Sequence, residues 1–265
     1  MNDILAGAQG VVFDMDGVLY RGDVAIKGAA DAVAEIRKMA LGVLFLTNNS
    51  TQTPEGYVDK LAGIGIPARP DEILTSALVT AAVCRDEGLA GKRAIVAGEE
   101  GVRRALEAVG IEIDEDPDSR RADLVVVGWD RGFDYTTLLR ASSAARAGAR
   151  FFATNRDPTF PHEDDLWPGA GSILAAIETA AGRRATVMGK PHEPMMKEAQ
   201  RRLGDAGQDP SAIVMVGDRP ETDLAGAHAM GWRTVLVLSG VASSSEGVEP
   251  VPDVVLESVA GLVAR

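Results

Sequence analysis

A chain of 265 residues has room for one large domain or two of ordinary size and can bury a substantial core. Its 46% apolar and 25% charged residues exclude a low-complexity disordered chain. The formal net charge of −12 argues against nucleic acid as a partner, because duplex affinity comes from Lys and Arg neutralising phosphates.

A small anionic substrate remains admissible, since one bound cation can dominate a local field. Cys84 is the single cysteine, so no intramolecular disulfide can form, which favours a reducing compartment. No apolar run approaches the roughly 18 residues of a membrane span, and the amino terminus lacks a basic stretch followed by an apolar one. The expectation is a soluble, cytoplasmic protein with no membrane partner.

In chain order, the first predicted strand covers 11–13 and runs into Asp14-Met15-Asp16-Gly17. Residues two apart on a strand point the same way, so both acids face one crevice at the strand's carboxyl end. Gly17 permits a sharp turn there. Two facing carboxylates need a cation or a proton, and Mg²⁺ suits hard oxygen ligands. Taken alone, the pair reads as well as solvated acids at a strand end. A helix is predicted over 29–39, then a buried strand over 43–46. That strand ends in Thr47-Asn48-Asn49-Ser50-Thr51, hydroxyl and amide donors suited to phosphate oxygens, or simply a polar turn.

The stretch 66–70 contains two prolines and breaks the pattern. Strands over 94–97, 124–127 and 151–153 then alternate with helices over 100–108, 136–147 and 172–181. Ser172 is a plausible N-cap after Pro168-Gly169-Ala170-Gly171. Nothing catalytic stands out between about 80 and 185. In Gly189-Lys190-Pro191, the proline keeps Lys190 out of helical conformation. Pro194 fits the first turn of a helix over 194–203. A strand over 213–216 enters Gly217-Asp218, and Asp223 opens a helix over 223–230. A strand over 235–238, a surface loop over 241–252 and a short strand at 254–256 finish the chain. Strands alternating with helices imply βαβ units and a doubly wound, mostly parallel, Rossmann-like α/β sheet.

Four polar signals each follow an apolar strand, in an order that fits one sheet edge. Asp14-Met15-Asp16-Gly17, Thr47, Lys190 and Gly217-Asp218 with Asp223 together resemble the haloacid dehalogenase superfamily of phosphohydrolases. Leu46-Thr47-Asn48-Asn49-Ser50, Ala153-Thr154-Asn155-Arg156-Asp157, Pro168-Gly169-Ala170-Gly171-Ser172 and Gly189-Lys190-Pro191 narrow the resemblance to its NagD-like and 4-nitrophenylphosphatase-like subgroup. The resemblance implies a catalytic core over 1–80 and 186–265 and an inserted α/β cap over 81–185.

It further implies that Asp14 is the nucleophile and that Asp16 acts as acid and base. Thr47 and Lys190 would hold the phosphoryl group, with Asn48 and Asn49 assisting. Asp14, Asp218 and the Asp16 backbone carbonyl would bind Mg²⁺, with Asp223 in support. Asn155, Arg156 and Arg131 are the cap candidates for substrate contact. The substrate implied is a small phosphate ester, first of all glycerol 3-phosphate or another short polyol phosphate. Nucleoside monophosphates, phosphoglycolate and pyridoxal phosphate are the alternatives, and the subgroup also leaves room for a homodimer through the cap. Trp129, Trp167 and Trp232 read as packing residues, and His162, His192 and His228 show no zinc-ligand spacing. The competing classes are a phospho-accepting signalling module without turnover and a dinucleotide-binding domain. The second lacks its glycine-rich turn after the first strand.

Overall fold

The computed structural model describes residues 3–162 and 165–263, without the side chains of 160–166 and of residue 206. The reading made of His162 therefore lies outside the described side chains. The chain divides into two compact units. Met1–Thr47, Glu55–Leu74 and Lys190–Arg265 form the first, and Asn48–Pro54 with Thr75–Gly189 form the second.

The first unit is built on a six-stranded sheet in the order Val254–Leu256, Arg233–Val237, Ile213–Gly217, Gly10–Asp14, Gly42–Thr47, Ile73–Thr75. The pairings linking the first five are parallel. Strands Gly10–Asp14 and Ile213–Gly217 are buried at every position, as a sheet covered on both faces requires. Val11, Phe13, Phe45, Val214 and Val216 share one hydrophobic cluster with Leu19, Ile36, Tyr57 and Leu61. The Phe13 and Phe45 rings stack there with centroids 6.1 Å apart. From Gly10–Asp14 the chain moves to one side for Gly42–Thr47 and returns on the other for Ile213–Gly217. This reversal creates a crevice at the carboxyl end of the middle strand, where open α/β sheets bind ligands.

Two helices are additional to the predicted set. Pro54–Gly63 starts on a proline and buries only Tyr57 and Leu61, a stripe too thin to register as periodicity. Ser76–Asp86 is buried on several sides, so its apolar residues show no period; Thr75 caps it by accepting from Leu78 N at 3.2 Å. That helix packs against helix Glu100–Ala108 within the second unit, and the division expected at 80/81 falls inside it.

The second unit holds a parallel sheet in the order Thr186–Val187, Arg150–Ala153, Leu124–Val127, Arg93–Ala97, Glu112–Ile113. Ile95, Val125, Val127, Phe151, Leu174 and Ile177 form its core, and helices Tyr135–Arg146 and Ala170–Ala181 pack together. An antiparallel hairpin pairs Thr159–His162 with Asp165–Pro168. Its prolines hid it, because proline lowers the expectation of a strand. Helix Ala170–Ala181 begins earlier than predicted, with Gly169 rather than Ser172 at its N-cap. A Cβ on Gly169 would lie 2.4 Å from the Asp157 carbonyl oxygen, so glycine is needed for the close backbone approach. Trp232 is buried and Trp129 packs against the second unit's apolar cluster, as expected, whereas Trp167 is 38% exposed. Among the described residues no helix is long and apolar enough to cross a membrane.

Candidate active site

Three adjacent strands of the first unit end in polar residues. Asp14 closes its strand, and the pairing of Asp14 with Leu46 leaves Thr47 one step beyond on the neighbour. On the other side Asp218 follows Gly217, the last residue of its strand. Lys190 reaches this edge from a distant part of the sequence. Its Nζ lies 2.5 Å from Asp14 Oδ1 and 2.7 Å from Asp223 Oδ1. Burial alone would lower the lysine's pKa, but the two carboxylates outweigh it and hold the ammonium charged.

The carboxylates are under the opposite pressure. Burial lifts Asp14 well above its usual range; Lys190 opposes this, while Asp223 and Asp218 add to it. Burial, then the charge of Asp223, pushes Asp218 up to about 6. Asp14, Asp218 and Asp223 each place an oxygen within 4.8 Å of the others. Three carboxyl groups share a single lysine, so this group has more acids than cations to balance them. Among the described residues, Asp218 Oδ1 is buried without a hydrogen-bond partner. An all-oxygen donor set with an excess of acids over cations and an orphaned carboxylate oxygen fits a hard divalent cation.

Asp223 is fixed by a local device. Its Oδ2 accepts from the amides of Asp218 at 3.2 Å and Arg219 at 3.1 Å. The chain makes a π-helical turn over Pro220–Leu224 before helix Ala225–Ala229, so the regular helix predicted from 223 starts later. A Cβ on Gly217 would come within 2.3 Å of Asp223 Cβ, which explains the Gly before Asp218.

Asp16 is half-buried and is not one of the three clustered carboxylates. Burial raises its pKa, with Lys60, Arg219 and Arg21 pulling the other way. Thr47 is buried, and its hydroxyl hydrogen-bonds to Tyr57 of helix Pro54–Gly63. Sequence reasoning missed Tyr57. The only signal for it was an aromatic residue four positions before Leu61 on a helix face.

The other candidates belong to the second unit, where each has partners of its own. Asn48 Nδ2 lies 3.3 and 3.4 Å from the Asp157 carboxylate oxygens, and the Asn48 carbonyl accepts from Asn155 Nδ2 at 2.8 Å and Ser76 Oγ at 2.6 Å. Asn155 Oδ1 accepts from Asp157 N at 3.0 Å. Asn49 Oδ1 accepts from Thr51 N and Oγ1, at 3.0 and 2.8 Å. Arg156 makes a two-pronged contact with the buried Glu178, at 3.0 and 2.6 Å. Arg131 does the same with Glu99, at 2.6 and 3.0 Å, on the surface.

Parallel strands ending in a lysine-bridged carboxylate cluster fit a phosphate-handling α/β protein. The profile of haloacid dehalogenase-like hydrolases matches residues 11–112, and a second HAD-hydrolase-like profile matches 187–262. A 5'-nucleotidase of Bacillus subtilis is 36% identical over 88% of this chain and 88% of its own length. The structure of a p-nitrophenyl phosphatase from Archaeoglobus fulgidus superposes with a TM-score of 0.87 at 32% identity, covering 96% of this chain and 98% of that one. A glycerol phosphate phosphatase of Mycobacterium tuberculosis, solved with magnesium, also gives 0.87 at 32% identity, over 99% of this chain and 78% of that one. The chain belongs to the haloacid dehalogenase-like hydrolases, and within them to the NagD-like and 4-nitrophenylphosphatase-like phosphatases.

Proposed function

We propose that the protein is a magnesium-dependent phosphatase that hydrolyses a small phosphate monoester by way of a phosphoryl group carried on Asp14. The substrate class we favour is glycerol 3-phosphate or another short polyol phosphate. The observation that carries this reading is Lys190 Nζ lying within 2.5 Å of Asp14 Oδ1, beside two further carboxylates. A buried ammonium on one oxygen of Asp14 opposes the effect of burial and favours the ionised form, leaving its second oxygen as the nucleophile.

In the proposed sequence, that oxygen forms a bond to phosphorus as the ester bond breaks. Asp16 gives its proton to the departing alkoxide. Asp16 then takes a proton from water, and the resulting hydroxide attacks phosphorus. The bond to Asp14 breaks, and inorganic phosphate leaves. Thr47 and Lys190 donate to the equatorial oxygens throughout. Asp14 and Asp218, supported by Asp223, would hold Mg²⁺, which when bound supplies positive charge to the phosphoryl oxygens. The second unit would act as the cap that restricts access and reads the alcohol.

The polyol preference is supported by the glycerol phosphate phosphatase similar to this chain over nearly its full length. A nucleoside monophosphate is the second reading, favoured by the 5'-nucleotidase relative. The test is phosphate release from 4-nitrophenyl phosphate, glycerol 3-phosphate and nucleoside monophosphates, with Mg²⁺ and with EDTA. Turnover that stops with EDTA and with Asp14→Asn is expected, with kcat/KM highest on glycerol 3-phosphate. Wild-type turnover by Asp14→Asn would overturn the mechanism, and a higher kcat/KM on nucleotides would change the substrate class.

A further inference from the structure

The turn that follows strand Arg233–Val237 has no side chain of obvious catalytic type, yet it closes around Asp218. Val241 N donates to Asp218 Oδ2 at 2.7 Å, and Ala242 N donates to the Asp218 carbonyl at 3.1 Å. Gly240 lies flat against the same carboxylate. A Cβ there would sit 1.9 Å from Oδ2 and 2.5 Å from the carboxyl carbon. Gly17 presses on the same oxygen, with a would-be Cβ at 2.3 Å. Ser239 Oγ donates to the Gly17 carbonyl at 2.8 Å, and Arg21 Nε donates to the Ser239 carbonyl at 2.6 Å. The turn is thereby stitched to the loop that carries Asp14 and Asp16.

These contacts treat the two oxygens of Asp218 unequally. Oδ2 is enclosed by two glycines and holds an amide donor, while Oδ1 is buried with no hydrogen-bond partner among the described residues. A carboxylate otherwise turns broadly about its last torsion, and either oxygen can then face a ligand. We propose that the 239–242 turn is a positioning device that locks the Asp218 carboxylate so that Oδ1 is the oxygen offered to the cation. The inference rests on the reading that a divalent cation binds at Asp14 and Asp218. Partners that orient a metal ligand typically account for about 10–100-fold in metal affinity.

Gly240 is a clean place to test this, because its backbone is not left-handed and alanine adds only a methyl group. Gly240→Ala is expected to weaken Mg²⁺ binding, measured by calorimetry, and Mn²⁺ binding, measured by the EPR signal of free Mn²⁺, by about 10–100-fold. Ser239→Ala, which keeps the amides but frees the turn from Gly17, should weaken both in the same direction and less. Circular dichroism of the EDTA-treated proteins checks that each variant is folded. If Gly240→Ala does not fold, Ser239→Ala decides, and unchanged affinity there overturns the inference. Asp218→Asn separates the two levels. If it binds Mg²⁺ as wild type does, the cation reading itself fails. If it loses Mg²⁺ while both turn variants keep it, only the positioning role fails.

Discussion

Lys190 is held by two carboxylates at once and is almost wholly buried. Lys190→Met should lower kcat/KM by about 10²–10³-fold, the usual cost of losing one preorganised charge-stabilising donor. Steady-state phosphate release measures this. Tyr57 acts one step further out. A buried tyrosine hydroxyl hydrogen-bonded to Thr47 fixes the orientation of the threonine hydroxyl. Tyr57→Phe should lower kcat/KM by about 3–10-fold, in line with one net hydrogen bond of about 0.5–1.5 kcal/mol. In a Thr47→Val background the same change should have no effect, and a double-mutant cycle reads the coupling directly. Residues such as Asp14, Lys190 and Asp218 were legible in the sequence because each follows an apolar strand. The Val241 amide was not, because a backbone donor leaves no letter. The pairing of Arg156 with Glu178 was equally hidden, because Glu178 lies on a separate helix and no local pattern announces the pair.

That pair joins whole elements. Glu178, on helix Ala170–Ala181, accepts from Arg156 after strand Arg150–Ala153, from Arg184, and from the Ala185 amide at 2.9 Å. Burial would raise its pKa, but these donors outweigh it and hold the carboxyl below its ordinary value. A depressed pKa means the unfolded chain binds the proton more readily than the folded one. Its stabilisation is fully present above the unfolded value of about 4.3 and is lost as pH falls through the lower, folded value. Glu178→Gln should therefore flatten the acid limb of the stability curve below about pH 4.3, and denaturant melts at several pH values test this. At neutral pH Glu178→Ala should cost about 1–3 kcal/mol, because the arginines it leaves behind are partly solvated. At this scale, strands such as Gly10–Asp14 could be read because a covered parallel strand is one unbroken apolar run. Helix Ser76–Asp86 could not, since burial on several sides erases the period that marks a helix.

Across the whole molecule, each of the two units has its own sheet and its own apolar cluster. All three clustered carboxylates belong to the first unit, although Lys190 is 176 residues from Asp14 in sequence. Mg²⁺ at about 100 times its dissociation constant should add roughly 2.7 kcal/mol to that unit's stability. Calorimetric scans with Mg²⁺ and with EDTA should show this as an upward shift of one transition, absent in Asp218→Asn. A shift that persists in that variant would locate the ion elsewhere. The alternating α/β plan was readable over the full length, whereas the short return of Asn48–Pro54 to the second unit was not, because seven polar-rich residues carry no fold signal.

The way Asp14 and Asp218 are held has a consequence for ion selectivity. Asp14 has one oxygen on Lys190, Asp218 has one on Val241, and Asp223 has one on Lys190 and the other on two amides. With one oxygen of each already engaged, a two-oxygen grip by Asp14 or Asp218 on an ion is disfavoured. A site limited to single-point carboxylate ligands favours a small ion that keeps much of its water and disfavours a larger one that seeks six to eight oxygens and chelating carboxylates. Calcium should accordingly compete for the position while giving little turnover, raising the magnesium concentration needed for half-maximal rate.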